Sequence, residues 1–126
     1  MAPGCHARFQ QVDLLAADAL PAAEFDRMVC FSVLEHIADT EGSARALARA
    51  LAPGGTLVTG YPMVSPVMTQ AFRAIGYKTI DDDHVSTPRR IAAALRHCLR
   101  PVRRVAFPPG TPVGLALYQC TSWTTI

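Results

Sequence analysis

A chain of 126 residues, half of them hydrophobic and 17% charged, suits one domain with a real core rather than a disordered chain. A formal net charge of +2 is too small to name a nucleic-acid or lipid partner by itself. The longest apolar stretches, such as residues 14–23, are interrupted by Asp18 or too short for a bilayer, and the start lacks a cationic segment followed by an apolar core. Neither a membrane span nor a secretory signal is expected. Cys5, Cys30, Cys98 and Cys120 are scattered without C-x-x-C pairs or zinc-like spacing to the four histidines. They read as reduced thiols of a cytoplasmic protein, with no metal site.

In chain order, residues 7–12 predict a first strand closed by Asp13, and residues 14–24, with Pro21 inside, a loop. Residues 27–31 form an apolar run after Arg27, the pattern of a parallel strand covered on both faces, and a central position is expected. Asp39 or Thr40 can cap the next helix, with Glu41 in its first turn. Its apolar stripe is Ala44, Leu47, Ala48 and Leu51, while Arg45 and Arg49 share another side. Pro53-Gly54-Gly55 stops that helix and turns the chain into a strand over 56–61. Ser65-Pro66 and Gly76 bound a second helix, and Thr87-Pro88 opens a third, with Ile91, Ala94, Leu95 and Cys98 on one face and Pro101 as its end. Two last strands, 102–107 and 115–122, are joined by a loop too short for a crossover helix, so they should be antiparallel neighbours.

Residues 25–37, FDRMVCFSVLEHI, followed by residues 47–62, LARALAPGGTLVTGYP, resemble the class I S-adenosylmethionine-dependent methyltransferases of the type 11 kind. The resemblance covers about residues 7–122 and implies an α/β fold. It would be a partial Rossmann-like methyltransferase sheet, mostly parallel with an antiparallel C-terminal hairpin and helices on both faces, in a single domain over 1–126. It also implies a cofactor, S-adenosylmethionine. Asp13 stands where the family's adenine-binding acid would, with Leu14 packing against the base. Cys30, Phe31 and Ser32 would floor the methionine moiety, largely through backbone atoms. His36, in the tripeptide Leu34-Glu35-His36, would face the same cleft, either taking a proton from the acceptor or orienting the loop. Tyr61 and His84 would contact the acceptor, a small molecule. Taken by themselves, Asp13 could equally cap a turn and Tyr61 could be plain packing, and the acids at 81–83 beside His84 read as a solvated loop rather than a metal site.

The family's G-x-G-x-G loop and the acid that grips the ribose have no counterpart in these residues, so the chain reads as the C-terminal portion of such a domain. Cofactor binding by it should be weak, and the strand at 27–31 should have an unpaired edge. That edge is expected to be covered by residues 7–12 or by a second copy of the chain. The alternative function is a non-catalytic methyltransferase-like interaction or dimerisation module. Arg89, Arg90, Arg96, Arg100, Arg103 and Arg104 raise nucleic-acid binding. Four of them, Arg89, Arg96, Arg100 and Arg103, follow helical spacing on an outward side without interleaved aromatics, which argues against it. Ser65 lacks the nucleophile elbow of a hydrolase and reads as a helix cap.

Overall fold

A computed structural model of the chain describes residues 7–16, 18–63, 66–76, 85–112 and 115–126. The elements are β1 (Phe25–Phe31), a single 3-10 turn (Leu34–His36), α1 (Thr40–Ala50), β2 (Leu51–Pro62), α2 (Pro66–Ala74), α3 (Pro88–Cys98), β3 (Leu99–Phe107) and β4 (Tyr118–Thr125). The four strands form one sheet in the order β1-β2-β4-β3. β1 runs parallel to β2, and β4 runs antiparallel to both β2 and β3. The sheet is therefore mixed, with one parallel and two antiparallel pairings, rather than mostly parallel. The expected hairpin of the last two strands is present.

Local signals set the helices. Asp39 Oδ1 accepts from the Gly42 amide at 2.8 Å, and Thr87 Oγ1 accepts from the Arg90 amide at 3.3 Å with Pro88 opening α3. Each cap satisfies one of the amides that a helix start leaves without an intrahelical acceptor. Gly76, with a φ of +88°, follows α2 in the left-handed region where glycine is at ease. The apolar stripes do what their spacing predicts. Ala44, Leu47 and Leu51 from the α1 stripe are buried with Ile91, Ala94 and Leu95 from α3, and Ala48 and Cys98 pack at the margin.

α1 and α3 pack on one face of the sheet, where Leu57, Thr59 and Tyr61 of β2 alternate with Gln119, Thr121 and Trp123 of β4 as buried residues. Trp123 is fully enclosed, and its indole N–H donates to Thr59 Oγ1 at 2.9 Å, so a large apolar ring is buried without orphaning its one donor. The pairing registers place Val29 and Phe31 opposite Val58 and Gly60, and Val105 and Phe107 opposite Cys120 and Tyr118, on the other face. There Val29, Phe31, Val105 and Phe107 are exposed, so among the described residues the helices cover one face and not both.

Three further expectations change. Residues 7–13 adopt no regular structure, and Phe9 is 95% exposed. Their side chains bury too little to offset the entropy of ordering a strand, and strand preference counts only where a neighbour exists to pair with. β1 is an edge strand rather than a central one, and residues 7–12 do not cover its free edge. α3 ends at Cys98, so Arg100 and Arg103 lie on β3 rather than continuing a helical row, and the register puts Arg103 and Arg104 on opposite faces. No helix among the described residues is long and apolar enough to cross a membrane.

Candidate functional site

The parallel pairing of β1 with β2 brings their carboxyl ends together, the place where open α/β sheets hold ligands. The Ser32 amide donates to the Gly60 carbonyl at 2.9 Å, fixing the chain as it leaves β1. Ser32 itself has a φ of +51°, a left-handed conformation that costs a serine energy and turns the backbone off the sheet. Its Oγ shares a 3.0 Å hydrogen bond with the Tyr118 hydroxyl. The Phe31 ring meets the Tyr118 ring edge-on, with centroids 6.5 Å apart. A Cβ at position 60 would lie 2.6 Å from Phe31 Cδ1 and 2.8 Å from Tyr118 Cε1, so only a glycine lets both rings close over β2 here.

Past Ser32 the chain winds through the 3-10 turn. The Glu35 carbonyl accepts from the amides of Val85 and Ser86, and Ser86 Oγ donates to the Ile37 carbonyl at 2.7 Å, pinning the turn beside the start of α3. The Glu35 side chain is 3% exposed, and neither carboxylate oxygen has a hydrogen-bond partner among the described residues. Burial, reinforced by the Glu35 charge, pushes the Cys30 thiol up to about 11. His36 closes the turn, exposed, with its amide donating to the Val33 carbonyl.

The residues expected in one pocket separate into groups. Phe31 and Ser32 meet each other and Tyr118 on the open side, whereas Cys30 lies on the helix side, in reach of Glu35. Asp13 is exposed and caps its own turn, its Oδ1 accepting from the Leu15 amide at 3.0 Å. Leu14 is half-buried against the core. Tyr61 is 2% exposed, and its hydroxyl accepts from Gln119 Nε2 at 3.3 Å. Burial raises the Tyr61 hydroxyl above the ordinary tyrosine value, an effect opposed by the charges of Arg104 and Arg96. His84 lies outside the described residues. Two cavities stand out. One of about 260 Å³ lies between α1 and α3 beside Asp39, Glu41, Arg90 and His97, and one of about 410 Å³ lies over Tyr61 and Gln119. Neither is lined by Asp13, Ser32 or His36.

Sequence reasoning did not find Tyr118, the burial of Glu35, or the pairing of Tyr61 with Gln119. The period-two alternation of residues 118–123 carried a signal for two of these, since it sets Gln119, Thr121 and Trp123 on one face and Tyr118 on the other.

A family model described as a methyltransferase domain matches residues 3–101. Among solved structures, the N-methyltransferase NodS from Bradyrhizobium japonicum WM9 is 21% identical with a TM-score of 0.60, over 90% of this chain and 56% of that one. It has also been solved in complex with S-adenosyl-L-homocysteine. A SAM-dependent methyltransferase from Methanosarcina mazei is 13% identical with a TM-score of 0.67, over 98% of this chain and 69% of that one. Geranyl diphosphate C-methyltransferase from Streptomyces coelicolor A3(2) is 13% identical with a TM-score of 0.67, over 93% and 54%. At these identities the likeness is one of fold. An uncharacterized protein of Synechococcus sp. is 47% identical over 49 residues, which are 39% of this chain and 12% of that protein. The chain spans 56% of the length of NodS and a much smaller part of the Synechococcus protein.

Proposed function

The chain belongs to the methyltransferase-domain family, and from that membership we propose that it takes part in S-adenosylmethionine-dependent methyl transfer to a small-molecule acceptor. The observation that carries the reading is the parallel β1–β2 pair, with the Ser32 amide bonded to the Gly60 carbonyl where the strands end. The residues present fit the adenine end of the cofactor. Asp13 commits one carboxylate oxygen to its own turn, and its other oxygen has no partner among the described residues, leaving it open to an amino group. Leu14 stands beside it, half-buried, as an apolar surface for a flat base.

When bound, the cofactor supplies an electrophilic methyl group on a sulfonium. The chain's own part is placement, which for well-oriented reactants is worth up to ~7–11 kcal/mol. The backbone of Cys30, Phe31 and Ser32 forms the floor, held by the Ser32–Gly60 and Ser32–Tyr118 hydrogen bonds. His36, exposed just beyond, takes a proton from an acceptor that must lose one, or orients the turn. Tyr61, beneath the larger cavity, contacts the acceptor, a part that the resemblance also gives to His84 outside the described residues.

Calorimetric titration of the chain with S-adenosylhomocysteine tests this. Saturable binding that Asp13→Ala abolishes supports methyl transfer, and an absence of heat at millimolar ligand removes it. The second reading, an interaction or dimerisation module, is favoured by a specific observation. Among the described residues β1 ends the sheet with a free edge, and Val29 on it is 68% exposed. Such an edge can pair with a second copy. Sedimentation analysis of the chain reads that directly, since a strict monomer at all concentrations removes the dimer.

A further inference from the structure

The cavity of about 410 Å³ over Tyr61 and Gln119 sits between α3, β3 and the carboxyl end of β2. Its floor is buried and polar, since the Tyr61 hydroxyl accepts from Gln119 Nε2 and so keeps its own proton free to donate. Its walls carry three guanidinium groups. Arg89 and Arg96, seven residues apart, share one face of α3, and Arg104 comes from β3, where its register partner Thr121 places it on the helix-covered side. The described ion pairs use Arg45 and Arg49, so none of these three arginines has a carboxylate partner among the described residues. Both Arg96 and Arg104 reach the buried floor electrostatically, because each lowers the Tyr61 hydroxyl against the effect of burial.

Among the described residues no carboxylate offsets the three guanidinium charges that meet around this hollow, so their convergence suits an anion. Guanidinium forks match the paired oxygens of carboxylate and phosphate groups, and two exposed arginines from α3 with one from β3, beside a neutral hydroxyl donor, suit a ligand with more than one charged oxygen. We propose that this cavity is a binding site for a small molecule bearing a multiply charged oxyanion, held by Arg89, Arg96 and Arg104 with the Tyr61 hydroxyl beneath. The site stands whether or not the chain transfers methyl groups. If it does, the acceptor carries that anion, and this consequence alone rests on the methyl-transfer reading.

The test is calorimetric titration of the full chain, without cofactor, at low ionic strength, using sodium pyrophosphate and sodium citrate as probes. Saturable one-site binding of either is expected. Arg96→Gln and Arg104→Gln should each weaken it about tenfold, or about 1.4 kcal/mol. Arg103→Gln, one residue along β3 on the opposite face, should leave it within about twofold, since rim charges that do not touch a ligand contribute little. Tighter pyrophosphate assigns a phosphate-bearing ligand and tighter citrate a polycarboxylate, and both uphold the site. Thermal melting of each variant confirms folding, which exposed Arg→Gln changes leave intact. The proposal is overturned if neither probe saturates at millimolar concentration, or if Arg103→Gln weakens binding as much as Arg96→Gln does. Failure of the S-adenosylhomocysteine titration with these results intact would remove methyl transfer and keep the anion site.

Discussion

Replacing Glu35 by methionine should make the protein more stable. The side chain is 3% exposed and neither carboxylate oxygen has a hydrogen-bond partner among the described residues, although the carbonyl of the same residue accepts two amides. A buried acceptor without a donor costs ~1–3 kcal/mol, and a charged one more. Methionine fills a similar volume with no such demand and bends to fit an irregular site. A net gain of about 1–3 kcal/mol is expected after some loss to imperfect packing. With an unfolding entropy of ~2.1 cal/mol/K per residue over this chain, each kcal/mol moves Tm by roughly 4 °C, so the variant should melt about 4–11 °C higher. Glu35→Gln, which keeps the polar burden, should stay closer to the parent. Differential scanning calorimetry of the three proteins reads the difference, and Cys30 gives a second readout. Removing the Glu35 charge takes away the smaller of the two causes that raise the Cys30 thiol, so its alkylation should quicken while remaining slow. A methionine variant that melts lower than the parent would refute the reasoning, because it would mean that the carboxylate has a partner in the folded protein.

Gly60→Ala should destabilise by about 1–3 kcal/mol in chemical denaturation, since the new methyl falls within 2.8 Å of both Phe31 and Tyr118 carbons and forces the rings apart. Its near-ultraviolet dichroism should change in the tyrosine region, and an unchanged spectrum with unchanged stability contradicts the ring closure described. Thr59→Val leaves the enclosed Trp123 N–H without its acceptor and should cost about 1–3 kcal/mol, whereas a neutral result would show that the indole finds another partner. For Cys30, the folded thiol is raised from 9.0 to about 11, so the folded state holds its proton more tightly than the unfolded one. That contribution is complete below pH 9.0 and is lost as pH rises toward about 11, and Cys30→Ala should flatten this part of the profile of Tm against pH. Peptide mapping after iodoacetamide treatment at pH ~9 should find Cys30 modified about fiftyfold more slowly than a free thiol, from the difference in thiolate fraction.

Features set by a few adjacent residues were legible in the sequence. The caps at Asp39 and Thr87, the proline opening α3, the glycine after α2 and the apolar stripes of α1 and α3 all follow from spacing and capping chemistry within one helix. The antiparallel hairpin was legible from the shortness of its loop. What depends on distant partners was not. The apolar run of β1 suits a strand with two covered faces, yet its surroundings in the fold make it an edge with one face open. Residues 7–12 have a strand-like composition, yet they stay irregular and exposed and do not pair with the open edge of β1. The arginines at 96, 100 and 103 keep helical intervals across the junction at Leu99, where the chain has already become a strand, because three- and four-residue spacings alone do not mark where a helix stops. At the candidate site, the resemblance pointed to Tyr61, but its burial depends on Gln119, 58 positions later, and on the arginines around both.

The uncovered side of the sheet has a practical consequence. Val29, Phe31, Val105 and Phe107 give the native molecule a greasy plane of the kind that fluorescent hydrophobic dyes adsorb to. Such a dye should already be bright at room temperature, and heating should dim it as the plane is dismantled, an inverted melting curve. Thermal stability is therefore better followed through Trp123, whose enclosed indole passes into water only when the sheet comes apart.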